Sequence, residues 1–91
     1  MSYSVETTPQ ADAALRRLPP FVRNTAIRRF LEFAKNPGVG GSVSAPTTYG
    51  KGQLLEFTVP YDQMTCWIGI LFLYSQDEQT LWIEHVHAEF T

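Results

Sequence analysis

Ninety-one residues, 44% hydrophobic and 13% aromatic, are enough for one domain with a single core, spanning 1–91. A charged fraction of 18% excludes a self-repelling disordered chain, and a single cysteine, Cys66, excludes an internal disulfide. The longest apolar run, Cys66–Tyr74, is far below the ~20 residues that span a bilayer, and residues 1–8 form no signal peptide, so a cytoplasmic protein is expected.

The formal net charge of −2 hides an uneven distribution. All seven basic residues lie in 1–51 against three acids, a formal +4, whereas 52–91 hold six acids and no Lys or Arg, a formal −6. Such a dipole steers charged partners toward the basic half, unless the two halves neutralise one another across the core.

Tyr3–Thr7 alternates as a short strand. Thr8-Pro9 then reads as an N-cap with proline in the first helical turn. Ala11, Ala14, Leu15 and Leu18 recur at i, i+3, i+4 and i+7, which predicts a helix over Pro9–Leu18 with Asp12 and Arg16 paired on its outer side. Pro19-Pro20 ends it, because neither ring donates a backbone bond. A second helix is expected over Phe21–Asn36, with Val22, Ala26, Ile27, Phe30, Phe33 and Ala34 as its apolar arc and Asn36-Pro37-Gly38 as its stop. Arg23 falls inside that arc, where a strand acid such as Glu56 or Glu84 is its natural partner.

Residues 37–52 hold five of the six glycines and read as the one long loop. Its Gly-Val-Gly-Gly-Ser stretch is not a phosphate loop, since no Gly-Lys-Ser/Thr and no helix follow. Three strands complete the pattern. Gln53–Val59 alternates, Cys66–Tyr74 is apolar throughout as a central strand should be, and Thr80–His87 follows a polar hairpin loop at Ser75–Gln79. In the last strand, alternation predicts Leu81, Ile83, His85 and His87 on one face and Trp82, Glu84 and Val86 on the other. The expected fold is therefore α+β, in the order β-α-α-β-β-β. A helical hairpin packs on one face of a mainly antiparallel four-stranded sheet, with Leu18, Phe30 and Ile70 in the core.

Three stretches carry a family resemblance. Tyr3–Gly38, with its Leu-x-x-Leu-Pro-like corner and Asn-Pro close, looks like the opening strand and helical hairpin of the RelE/ParE toxin superfamily. Tyr49–Pro60 resembles that family's Lys-Gly-x-x-Leu segment, and Trp67–His87 resembles its third strand, hairpin and closing Gly-His-Arg strand. The resemblance implies the toxin of a type II toxin–antitoxin, plasmid-stabilisation type pair. Its implied partners are a cognate antitoxin, with gyrase or the ribosome and its messenger RNA as target classes, and a second copy of the chain. Lys51 matches the family's lysine before the second strand, and His87 matches the closing histidine.

Other positions depart from the pattern. Glu56 stands about where an arginine belongs, Cys66-Trp67-Ile68 fills another such place, Ala88 follows the histidine, and the sequence reaches Thr91 without a terminal tyrosine. RNA cleavage needs positive charge against the scissile phosphate and a group to move protons. The expected function is therefore toxin-like action through protein binding, without enzymatic activity or cofactor. The alternatives are a ribosome-dependent endoribonuclease that represses translation through Lys51, His85 and His87, and an inactive relative kept for binding. His85 and His87 share a strand face, and imidazoles can act as acid, base or metal ligand, but no third ligand stands at a metal spacing, so no metal is expected. Trp67, Leu71 and Leu73 share a face of the apolar strand and are candidate partner contacts, together with Arg16, Arg17, Arg28 and Arg29 on the helical hairpin. Cys66, inside an apolar run with no basic neighbour, reads as a structural thiol.

Overall fold

The computed structural model describes residues 4–35, 41–47, 50–75 and 79–91. In chain order the elements are β1 (Ser4–Thr7), α1 (Pro9–Arg16), α2 (Pro20–Lys35), β2 (Ser42–Thr47), β3 (Gly50–Tyr61), β4 (Met64–Tyr74) and β5 (Thr80–Phe90). The strands form one sheet in the order β1-β5-β4-β3-β2, antiparallel except where β1 runs parallel to β5. Both helices lie on one face. The α+β architecture expected from the sequence is present, with β4 at the centre of the sheet.

The strand count differs: there are five strands, not four. Ser42–Thr47, inside the expected loop, pairs antiparallel with Gly50–Leu55. Ser, Ala and Pro have weak strand preference, and it is pairing with the edge of β3 that overrides it. Pro46 is tolerated because an edge strand leaves one side of its backbone unpaired. The β3–β4 hairpin also runs further than alternation suggested, to Tyr61↔Met64, around Asp62 and Gln63 at φ 50° and 61°. Two central residues with positive φ give the two-residue turn whose twist suits a hairpin. The expected stop at Asn36-Pro37-Gly38, the glycines 38 and 40, and positions 76–78 of the expected hairpin loop lie outside the described residues.

Thr8 caps α1: its hydroxyl accepts the Ala11 N–H at 3.1 Å and donates to the Glu84 carbonyl at 2.9 Å, tying the helix start to β5. The first helix ends at Arg16, short of the expected Leu18, and the core is built from Ala11 and Leu15 of α1, Leu18 of the turn after it, the stripe Val22, Ala26, Phe30 and Ala34 of α2, and Leu55, Val59, Ile68, Ile70, Phe72, Leu81, Ile83 and Val86 of the sheet. Alanines at alternate positions of that stripe let α2 approach the sheet closely. Phe30 meets Phe72 edge-on at 5.2 Å and Phe33 meets it at 5.3 Å, the preferred geometry for aromatic pairs.

The stripe is narrower than the expected arc. Ile27 is exposed beside Leu31 on the outer side of α2, because strict i+4 spacing places only one line of residues against the sheet. Arg23 is half-buried but makes no ion pair among the described residues, and its expected partners lie elsewhere. Glu56 alternates away from the helix-facing Leu55 and Phe57, and Glu84 lines a pocket on the helix-free side. No helix among the described residues is long and apolar enough to cross a membrane.

Candidate functional site

The register of β5 against β4 determines which side chains share the helix-free face. Leu71 pairs with His85 and Phe72 with Ile83, so Glu84 is an extra residue, a bulge. Before it, Leu81 and Ile83 face the helices and Trp82 faces away; after it, Val86 returns to the core. The bulge therefore shifts His85 and His87 onto the face opposite Leu81 and Ile83, where uninterrupted alternation had grouped all four. It also brings Glu84 to the same side as His85, which alternation had placed on opposite faces.

Toward one end of this face, Glu56, Gly69 and His87 lie in register on β3, β4 and β5. The Trp67 indole lies over Gly69: a Cβ built there would approach its outer ring carbon to 2.6 Å. This position lets the indole N–H donate to a Glu56 carboxylate oxygen at 3.1 Å while the ring meets His87 edge-on at 5.8 Å. His87 Nε2 lies 3.2 Å from Glu89 Oε1, a pair 55% and 64% exposed and so well screened. The result is a chain of contacts, Glu56–Trp67–His87–Glu89, none of which the sequence alone could place. The lone glycine in the apolar run was the one signal available, since glycine inside a strand marks a close approach.

At the other end of the face, Thr8, Leu73, Trp82 and Glu84 line a cavity of about 300 Å³. Trp82 is exposed on its rim, and Glu84 is the one buried charged residue of the described chain. His85, between the two ends and opposite Leu71, has a buried Nδ1 with no hydrogen-bond partner among the described residues.

The candidate residues from the sequence divide between two faces. Trp67, Leu71 and Leu73 share the helix-free face with His85 and His87. Arg16, Arg17, Arg28 and Arg29 are exposed on the helices; Arg16 pairs with Asp12 at 3.0 Å, and Arg29 lies 4.8 Å above the Phe57 ring. Lys51 is exposed at the start of β3, five residues or about 17 Å along the strand from Glu56, so it does not meet His87. No group of three or more metal-ligating side chains occurs among the described residues. Cys66 is fully buried, and burial pushes its thiol above the ordinary value of 9.0.

The chain superposes on a chain of the toxin–antitoxin complex RelBE2 from Mycobacterium tuberculosis with a TM-score of 0.76, at 16% identity and covering 98% of this chain and 100% of that one. At this identity the likeness is one of fold, and the fold is RelE-like. No family model and no curated relative matches the sequence. On this RelE-like frame the arginines and the acids occupy opposite layers. Apart from Lys51, every Lys and Arg of the chain is on α1, α2 or the turn between them. The helix-free face holds the carboxylates Glu56, Glu84 and Glu89, with Glu6 beside Trp82 in the β1–β5 register.

Proposed function

We propose that this chain is the toxin-like member of a toxin–antitoxin pair and that it acts by binding protein and does not cut RNA. The RelE-like fold supports the first part, and a small antitoxin is the partner it implies. One observation carries the second: the helix-free sheet face presents carboxylates and apolar rings, and Lys51 is the one Lys or Arg in any strand. A phosphodiester brought to that face would be repelled, and the positive charge that stabilises a pentavalent phosphate is absent from it. His85 and His87 share the face and could move protons, yet Lys51 is too distant to hold a phosphate between them.

Induced expression with growth as the readout, paired with mapping of messenger-RNA ends, tests the reading. The expected result is no ribosome-dependent cleavage above background, with any growth effect unchanged in His87→Ala and relieved by a co-expressed antitoxin. Robust cleavage that disappears in Lys51→Ala or His87→Ala overturns it in favour of the endoribonuclease.

A further inference from the structure

The helix-free face has a polarity that specifies an occupant. Its two ends are acidic and aromatic, and its middle is aliphatic. At one end, the cavity of about 300 Å³ has Leu73 and Trp82 as apolar walls, with Glu84, only 8% exposed, among its lining residues. Such a pocket suits a side chain with an apolar stem and a cationic head, because the stem covers the walls while the head meets the acid. At the other end, Glu56 and Glu89 flank the Trp67 indole, a carboxylate pair beside an aromatic ring. That arrangement suits a guanidinium, which bonds carboxylates and stacks on rings. Between the ends lies Leu71, with Leu54 on one neighbouring strand and His85 on the other.

We propose that this face binds a basic peptide segment of a partner protein, with one arginine or lysine in the Thr8–Leu73–Trp82–Glu84 pocket and a second at Glu56, Trp67 and Glu89. The assignment rests on the protein-binding reading above and adds the chemistry of the partner. Charge complementarity selects the occupant: Glu56, Glu84 and Glu89 are carboxylates of this face, and no Lys or Arg follows position 51 to supply a permanent positive charge from β4 or β5.

Strand geometry gives the spacing. Leu73 and Gly69, which mark the two ends on β4, are four residues or about 13 Å apart. An extended peptide lying along β4 covers that distance in about four residues. Its side chains at i and i+4 then reach the two acidic ends, and the one at i+2 faces Leu71. The preferred motif is basic-x-aliphatic-x-basic.

The two tryptophans make the test direct, because each indole N–H gives its own proton–nitrogen resonance and each marks one end of the face. The full ¹⁵N-labelled chain is titrated with a peptide containing Arg-Ser-Leu-Ser-Arg, the same peptide with glutamates for arginines, one with the arginines seven residues apart, and a single-stranded RNA of similar length. The expected result is saturable movement of both indole resonances by the first peptide, at least about tenfold weaker for the widely spaced one, and none by the acidic peptide or the RNA. Trp82→Phe and Glu56→Gln, both on exposed side chains, should each weaken binding several-fold, as should Glu84→Gln if it folds, whereas Glu32→Gln on α2 should not. Equal shifts with the acidic peptide, shifts confined to the helices, or stronger movement by RNA overturn the assignment. Failure here with no messenger-RNA cleavage in cells removes the basic-peptide docking alone; cleavage removes the protein-binding reading as well.

Discussion

A Cβ added to Gly69 meets the outer edge of the Trp67 indole at 2.6 Å, whereas one added to Gly52 meets the carbonyl oxygen of Phe72 at 2.6 Å and also runs into the Thr47 methyl. The two clashes differ in what can yield. A half-exposed indole can rotate away; the backbone of the central strand cannot. Gly52→Ala is therefore expected to cost about 1–3 kcal/mol, read as a lower urea midpoint. Gly69→Ala should change stability by less than about 1 kcal/mol. It should instead break the Trp67–Glu56 hydrogen bond and red-shift Trp67 emission, measured in a Trp82→Phe background. An unshifted spectrum would mean the indole does not lie over the glycine. Cys66 gives a third expectation. With its thiol raised by burial, the unfolded chain ionises first as pH climbs through the ordinary thiol value of 9.0. The stability carried by the protonated, buried thiol is thus complete below that value and falls above it. A thiol reagent at pH 8 should label Cys66 only as fast as the protein opens; labelling at the rate of a free thiol would contradict the burial.

At the scale of elements, Thr8 ties α1 to β5 through three hydrogen bonds. It caps α1 through the Ala11 N–H, bonds the carbonyl of the bulged Glu84, and its own N–H donates to Ile83 at 3.0 Å. Thr8→Val keeps the shape and removes the hydroxyl, so a loss of about 1–2 kcal/mol is expected, most of it recovered in Thr8→Ser. Equal urea midpoints for Thr8→Val and the parent would show that the cap carries no weight. This cap was legible in the sequence, as were the double-proline corner and the core residues Leu18, Phe30 and Ile70, because each rests on local chemistry or on a simple period. The fifth strand was not legible. Ser42–Thr47 has a loop's composition and becomes a strand only by pairing with β3. Nor was the bulge, since period-two alternation carries no mark of an inserted residue. Its one trace is the consecutive polar pair Glu84-His85 inside an otherwise alternating strand. That omission matters most for the candidate site, because the bulge decides which face receives the histidines and where Glu84 points.

Across the whole molecule, the charge division noted along the chain becomes a division between layers. The helices and the turn between them carry all the arginines, and the helix-free face of the sheet carries carboxylates, with the core between them. The two halves thus occupy different layers of the fold, each with an excess of one sign of charge. If the field of the acidic face is what keeps nucleic acid off the sheet, reversing it should be enough to admit nucleic acid. Glu56→Arg with Glu89→Arg raises the formal charge by four from −2, with every added charge on one face and outside the core. The parent is expected to bind a single-stranded RNA oligonucleotide negligibly at physiological salt. The double variant should bind at least about tenfold more tightly at low salt, with the gain fading as the Debye length shrinks to about 3 Å near 1 M. Binding alone is not expected to bring cleavage: the new arginines lie beside His87, but the Nδ1 of His85, the second group on this face that could move a proton, is buried. Fluorescence anisotropy across a salt series, with gel analysis of the same samples, checks both halves. Parent binding as tight as the variant's would show that the acidic face is no barrier, and cleavage by the variant would show that charge alone separated this fold from a ribonuclease.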